Sequence, residues 1–513
     1  MPNCQCVLCF CLPANLPRLS SILNRSRKEQ SEAEEATQQL QTEQSKAEQM
    51  AHQPSPSAVR VLDRIRVSPA PPPPDSAQLP LTFFDVAWLF TGPVERLFFF
   101  RHEDPSSTIP LLRSSLAAAL RRFYPLAGTI RPHPPSLCCS YSPGADALTF
   151  VVAESARPDD FDRLVVRAPR DLSLLRPLVP QLPPPAADDG AFAAAAVQAT
   201  VFPGRGLCLG VSVHHAACDD ASAMLFVRTW AAACRLGLLD GDDGSGLPPP
   251  PVLDRSLVAD PDDLRGKTLA GMARLAPPPP PPSPAQDEEE KKAPPPMVMA
   301  SFRLPRYKID RIKKSAAAEA AGESPSSFVA ASALAWVCLL RCGSTGVAGA
   351  ERSHMLFSAE CRTRLAPPLP AEYFGNCLRP CFVEAATADL VSDYAECSVA
   401  AAAAAIAGAI REMERGVLEG AEGWLGRVLS VLPQRPMSVG GSPRHAAYAA
   451  ADFGWGPPAR VEMVSVEKTP GTVALADSPD GDGGIELGVV LPADAMDAFE
   501  SCFADVLHSY TIL

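Results

Sequence analysis

Apolar positions along this chain fall into short runs of period two and one-sided stripes of helical spacing. "VRVLDRIRV" (59–67) alternates as a half-buried strand does. "LTFFDVAWLF" (81–90) and "RLFFFRH" (96–102) are aromatic-rich and read as strand and buried turn. Leu111, Leu112, Ser115, Leu116, Ala119, Leu120 and Phe123 make a helical stripe, and Pro125 stops it. "LTFVVAES" (148–155) and "AAVQATVFPGRGLCLGVSVHH" (195–215) supply further strands, with Pro203 and Gly204 in a hairpin turn. "DDASAMLFVRTWAAACR" (219–235) suits a packed helix through Leu225, Phe226, Thr229 and Trp230, with Asp219 or Asp220 at its N-cap. Further on, "MASFRLP" (299–305) and "MLFSAECRTRL" (355–365) read as strands around a capped buried helix, "SPSSFVAASALAWVCLLRC" (324–342). A long alanine-rich helix precedes three strands, "RVEMVSVEKT" (460–469), "GTVALADSP" (471–479) and "GIELGVVLP" (484–492). A final helix, "DAMDAFESCFADVLHSY" (494–510), follows them.

Two stretches break the pattern. Residues 1–49 hold a cysteine-rich scrap and then a polar segment with almost no apolar stripe, so they have little to bury. They are expected to be a disordered or incidental extension, with Met50 as the functional start. "APPPPPPSPAQDEEEKKAPPP" (276–296) combines proline and charge runs, as a semi-rigid solvated linker does. It divides the chain into 50–275 and 297–513. A chain of 513 residues exceeds what one core accommodates, which fits two domains. Each half mixes strands and helices, so the class is α/β in the α+β sense, without a simple sequence repeat.

Composition narrows the function classes. Hydrophobic residues make up 47% and charged residues 20%, as in an ordinary globular protein. A net charge of -12 argues against a general nucleic-acid binder. The apolar run "SVAAAAAAIAGAI" (398–410) is shorter than the roughly 20 residues a membrane span needs. The first residues lack the basic start of a signal peptide. Of 16 cysteines, Cys4, Cys6, Cys9 and Cys11 crowd the N-terminus, and the rest are scattered, as reduced thiols in a reducing compartment would be.

The densest chemistry lies in "GLCLGVSVHHAACDD" (206–220). Strand periodicity puts Val211, Val213 and His215 on one face and His214 on the other, which weakens a shared metal site. No metal is expected. His215 is either a satisfied core histidine at a strand end or a base, since a neutral imidazole takes a proton near pH 7. An aspartate one turn on holds that loop, directly or through an arginine.

These residues resemble the plant BAHD acyltransferases, which use coenzyme A thioesters. The family motif His-x-x-x-Asp-Gly is matched at His215 and Asp219, and Asp-Phe-Gly-Trp-Gly stands as Asp452, Phe453, Gly454, Trp455 and Gly456. "LTFFDVAWL" (81–89), "LRSSLAAALRRFYPLAG" (112–128), "PVLDRS" (251–256) and "CRTRLAPPLPAEYFGNC" (361–377) follow the family order. "YFGNC" and "GSPRHAAYAADFGWG" resemble the branch that acylates anthocyanin, flavonoid and phenolic glucosides with malonyl-CoA or hydroxycinnamoyl-CoA.

The resemblance implies two chloramphenicol-acetyltransferase-like domains with a substrate channel between them. It implies His215 as general base and Asp219 in a supporting role, pointing toward an arginine. Asp452 to Gly456 are implied to be structural, with Arg362 as a partner of Asp452; Arg362 and Arg364 meeting coenzyme A phosphates is the other reading. Substrate-binding residues are not identified. The expected partners are an acyl-CoA co-substrate and a small phenolic glycoside, with no cofactor, nucleic acid or membrane, in a cytosolic monomer. Rival readings are a hydroxycinnamoyl transferase acting on an amine or alcohol, and a non-catalytic binding descendant. One departure stands out: where the family has glycine after the motif aspartate, this chain has Asp220, adding bulk and charge where an anionic donor would arrive.

Overall fold

The computed structural model describes residues 59–512 apart from 74, 134–135, 187–188, 239–244, 276–295, 321–323 and 469–470. The expectations for residues 1–49, for Met50 and for nearly all of the 276–296 linker lie outside the described residues. The first half contributes β1 (Val59–Val67), β2 (Val94–Arg101), β3 (Leu148–Ser155), β4 (Ala195–Phe202) and β5 (Gly206–Val213). The second contributes β6 (Met297–Leu304), β7 (Arg352–Glu360), β8 (Leu378–Ala386), β9 (Met437–Gly440), β10 (Arg460–Met463), β11 (Thr472–Asp477) and β12 (Ile485–Pro492). The longer helices are α1 (Ile109–Leu120), α2 (Asp220–Leu236), α3 (Arg306–Ala320), α4 (Ser327–Arg341), α5 (Ala395–Arg411) and α6 (Ala493–Ile512).

Two mixed sheets organise these elements. The first runs β1-β3-β4-β5-β2-β10, and the second β8-β7-β9-β11-β12-β6 with Arg170–Asp171 at its edge. Each half therefore lends a strand to the other's sheet: β10 pairs with β2, and Arg170–Asp171 pairs with β6. The expected β4–β5 hairpin forms in register from Phe202↔Gly206, with Gly204 at φ +67° in the turn. Every residue of β4 and β5 is buried, because both faces of this sheet are covered. β1 departs from the half-buried strand its alternation predicts. It is an edge strand, exposed along most of its length.

The alternation of β2 shows how the layers meet. Phe98 and Phe100 enter the core beneath α1 and α2, while Leu97 and Phe99 enter an apolar seam with Met299, Met463 and Val490. A third core surrounds α4, where Trp336, Ile406 and Phe499 are fully buried. Two caps set helix starts as the sequence suggests. Asp219 accepts from Ser222 N at the head of α2, and Ser326 accepts from Val329 N at the head of α4.

Two predicted strands are shorter than the pattern implies. The stretch 460–469 is a strand only to Met463. Beyond it Val464 and Val466 turn into the seam as a short 3-10 helix, burying both side chains there. In 355–365 the strand stops at Glu360, where the Arg362 side chain is drawn into the interior. The helix α3, the strands β8 and β9 and the helix Leu264–Leu275 have no counterpart in the sequence reading.

Trp230 of α2 joins the first core to the segment around Phe453. Its ring meets Phe453 edge-on at 4.9 Å, and Nε1 donates to the Leu112 carbonyl at 3.1 Å. Truncating a fully buried aromatic of this size costs about 3–5 kcal/mol. Trp230→Ala is expected to lower the urea midpoint of unfolding by the corresponding amount, read by tryptophan-independent far-ultraviolet circular dichroism.

Candidate active site

β5 ends at Val213, and the chain turns through His214 to Ala217 before α2 begins. The two histidines diverge within that turn, as the strand alternation requires. His214 is buried, with its ring 4.9 Å from Phe192 and its Nδ1 accepting from Ala216 N at 3.2 Å. Burial, with His215 alongside, pushes its pKa down to about 4, so it stays neutral. His215 is half-buried. Its ring stacks on Trp88 with centroids 3.8 Å apart and planes 4° from parallel. The Nδ1 edge is enclosed, with no geometric hydrogen-bond partner among the described residues. Burial pulls the His215 pKa below the usual value. Its own carbonyl, Asp219, Asn376 and Asp220 work in the other direction.

Asp219 does not point at the imidazole. Its two oxygens accept Arg362 Nη1 at 2.8 Å and Nη2 at 2.9 Å, and also Ser222 N at 3.0 Å and Cys377 N at 3.1 Å. Both side chains are sealed, at 1% and 4% exposure. Arg362 further donates to Ser222 Oγ and to the carbonyls of Tyr373 and Gly375. Burial works against the guanidinium charge, but Asp219 outweighs it and holds the pKa above the usual value. This corrects the pairing of Arg362 with Asp452. The two-pronged Asp219 contact consumes the arginine, and its depth keeps it from any phosphate. Arg364 lies at the surface, with Nη1 donating to the Glu360 carbonyl at 2.8 Å.

A second buried network grips the histidine from behind, and sequence reasoning missed it. Asp85, fully buried, accepts from Thr82 N and Oγ1, from Arg255 Nη1 at 2.9 Å, and from Asn376 N and Nδ2 at 3.0 and 2.9 Å. Asn376 Nδ2 also donates to the His215 carbonyl at 2.8 Å, and Arg255 Nη2 to the Ala217 carbonyl at 3.1 Å. The motif pieces "FFD", "LDRS" and "GNC" thus converge on the turn that carries His215. The Thr82–Asp85 capping box shapes the turn that presents Trp88. A side chain on Gly375 would collide with the Arg255 guanidinium, which is why glycine stands there.

The 452–456 segment packs against Phe100 of β2 and against α2. Asp452 Oδ1 accepts from Gly454 N at 2.9 Å and Gly456 N at 3.0 Å, while Gly454 and Gly456 take φ of +108° and +86°. Phe453 and Trp455 stack on each other and meet Phe100 edge-on. This is a turn docked onto the first core, and Arg235 of α2 clasps it through the Asp452 carbonyl. Asp220 faces neither His215 nor Asp219 with a hydrogen bond. It engages Arg96 of β2 at 3.0 and 3.1 Å, with His445 Nε2 at 3.3 Å.

Among the described residues no cluster of histidine, cysteine or carboxylate side chains is arranged to hold a metal ion, and no helix is long and apolar enough to cross a membrane. The cysteines from Cys138 to Cys502 are free thiols, mostly buried.

Residues 57–506 match the model of the Transferase family. Coumaroyl-CoA:anthocyanidin 3-O-glucoside-6''-O-coumaroyltransferase 2 of Arabidopsis thaliana is 34% identical over 464 residues, which cover 86% of this chain and 96% of that protein. Phenolic glucoside malonyltransferase 1 of the same plant is 32% identical over 489 residues, 90% of this chain and 99% of its own. Among solved structures, vinorine synthase matches with a TM-score of 0.61 at 20% identity, over 86% of this chain and 96% of its own, a likeness of fold. The chain belongs to the Transferase family of BAHD acyltransferases and has their two-domain, chloramphenicol-acetyltransferase-like fold.

Proposed function

We propose that this acyltransferase moves an acyl group from a coenzyme A thioester to a hydroxyl of a phenolic or flavonoid glucoside, with His215 as general base. One observation carries the reading. Of the paired histidines, His215 alone keeps partial exposure, its ring clamped flat on Trp88 and its carbonyl held by Asn376. The relatives named above, which act on glucosides of this kind, support the substrate class.

The step balances without a cofactor. The acceptor hydroxyl gives its proton to His215 Nε2 as its oxygen bonds to the thioester carbonyl carbon. The resulting oxyanion collapses, the carbon–sulfur bond breaks, and the imidazolium returns the proton to the leaving thiolate. The products are the ester and free coenzyme A. Base catalysis of this kind is worth roughly 10²–10⁴ in rate, and holding two substrates in register supplies further acceleration. In this reading Asp219 and Arg362 are positioning residues. Their pair fixes the head of α2 and so the turn before it.

Thiol release from p-coumaroyl-CoA and malonyl-CoA, with cyanidin 3-O-glucoside and simple phenolic glucosides as acceptors, tests the reading. Acceptor-dependent release is expected, with a loss of at least about a hundredfold in kcat/KM for His215→Ala; equal release by the variant would exclude His215 as base. The pH profile gives a second check. Only the neutral imidazole accepts a proton, and burial lowers its pKa, so kcat/KM should be flat above neutrality and fall on acidification with a midpoint below about 6.5. His214, its pKa pushed down to about 4 by burial, is neutral near pH 7. Arg362→Ala leaves a buried carboxylate unpaired, at a cost of about 3–5 kcal/mol in stability. Arg362→Lys keeps the charge but not the fork and is expected to lower kcat more than it changes KM for either substrate.

A further inference from the structure

Asp220 replaces a glycine of the family motif, and the structure shows what it does there. It is the first residue of α2, directly after the cap that anchors the helix. Its carboxylate forms two contacts with the Arg96 guanidinium, at 3.0 and 3.1 Å, the geometry by which arginine recognises a carboxylate. His445 Nε2 lies 3.3 Å from the same oxygen that accepts Arg96 Nη2. Asp219 beside it is sealed at 1% exposure, but the Asp220 and Arg96 side chains keep 18% and 10%. The pair is therefore less completely sealed than Asp219. Asp220 stands five residues after His215, at the head of the helix into which the His215 turn runs. Asp477 adds a second carboxylate that feels the Arg96 charge.

We infer that Asp220 acts as a resident carboxylate that occupies Arg96 and selects against donors whose acyl group ends in a carboxylate, so that this enzyme takes neutral acyl thioesters of the hydroxycinnamoyl type. An incoming malonyl group needs a cation for its free carboxylate. Here the Arg96 guanidinium at the head of α2 is already filled, and a malonyl carboxylate arriving there would meet Asp220 as a like charge. A neutral aromatic acyl chain needs no such cation and loses nothing. Discrimination through a repulsive element is as effective as a new attraction. The inference rests on the acyl-transfer reading given above.

The experiment is a comparison of kcat/KM for p-coumaroyl-CoA and malonyl-CoA, with cyanidin 3-O-glucoside as acceptor, in the full chain and in two variants. The wild type is expected to favour p-coumaroyl-CoA by at least about tenfold. In Asp220→Gly the ratio is expected to move toward malonyl-CoA by at least about tenfold, because Arg96 is freed. Asp220→Asn keeps the size and removes the charge, and should move the ratio the same way by a smaller factor. A general loss of stability would depress both donors and leave the ratio where it was. A wild type that prefers malonyl-CoA overturns the inference, and so does a ratio unmoved in both variants. Absence of transfer from either donor to any glucoside instead overturns the acyl-transfer reading, and the inference with it.

Discussion

The Asp219–Arg362 pair is the contact on which the rest of the site depends. Removing two charges from water is costly, and a buried pair repays that only when every remaining donor and acceptor is met. Here they are met by Ser222, Cys377 and the carbonyls of Tyr373 and Gly375. The pair joins the head of α2, from the first half of the chain, to the 361–377 loop of the second. Because Asp219 also caps α2, one carboxylate sets both where the helix starts and where the other half sits against it. The turn bearing His215 is the short piece of chain between that anchored helix and the rigid hairpin strand β5.

Asp85 provides the complementary anchor. It collects Thr82, Arg255 and Asn376, and Asn376 passes the constraint to the His215 carbonyl. The imidazole is thus fixed at three points: its backbone by Asn376, its face by Trp88, and the following helix by Arg362. None of these contacts blocks Nε2. An imidazole held this way has little rotational freedom left to lose on meeting a partner.

Much of this was legible before any coordinates. The hairpin at Pro203 and Gly204, the helix after Asp219 and the divergence of His214 from His215 follow from local spacing and turn chemistry. The positive φ of Gly454 and Gly456 follows from turn chemistry too. The partner of Arg362 was not legible. Asp219 and Asp452 are both motif aspartates in a chain rich in acids, and no local pattern distinguishes a contact made 143 residues away. Asn376 and Trp88 were hidden for the same reason. Their roles lie in packing against a turn that is remote in sequence, and an asparagine or a tryptophan in an apolar stretch carries no periodic mark of it. The exchange of β10 and Arg170–Asp171 between sheets is likewise a matter of edges, which alternation along a single strand does not encode.

That exchange limits how the two halves can move around His215. A cleft between two lobes joined by one hinge can swing wide, admit a large ligand and shut over it. Here each sheet is finished by a strand from the opposite half, so a swing would tear two hydrogen-bonded edges and the apolar seam between them at once. The lobes are stitched rather than hinged. The frame of the two sheets stays fixed, and only side chains and surface loops are left to give way around His215.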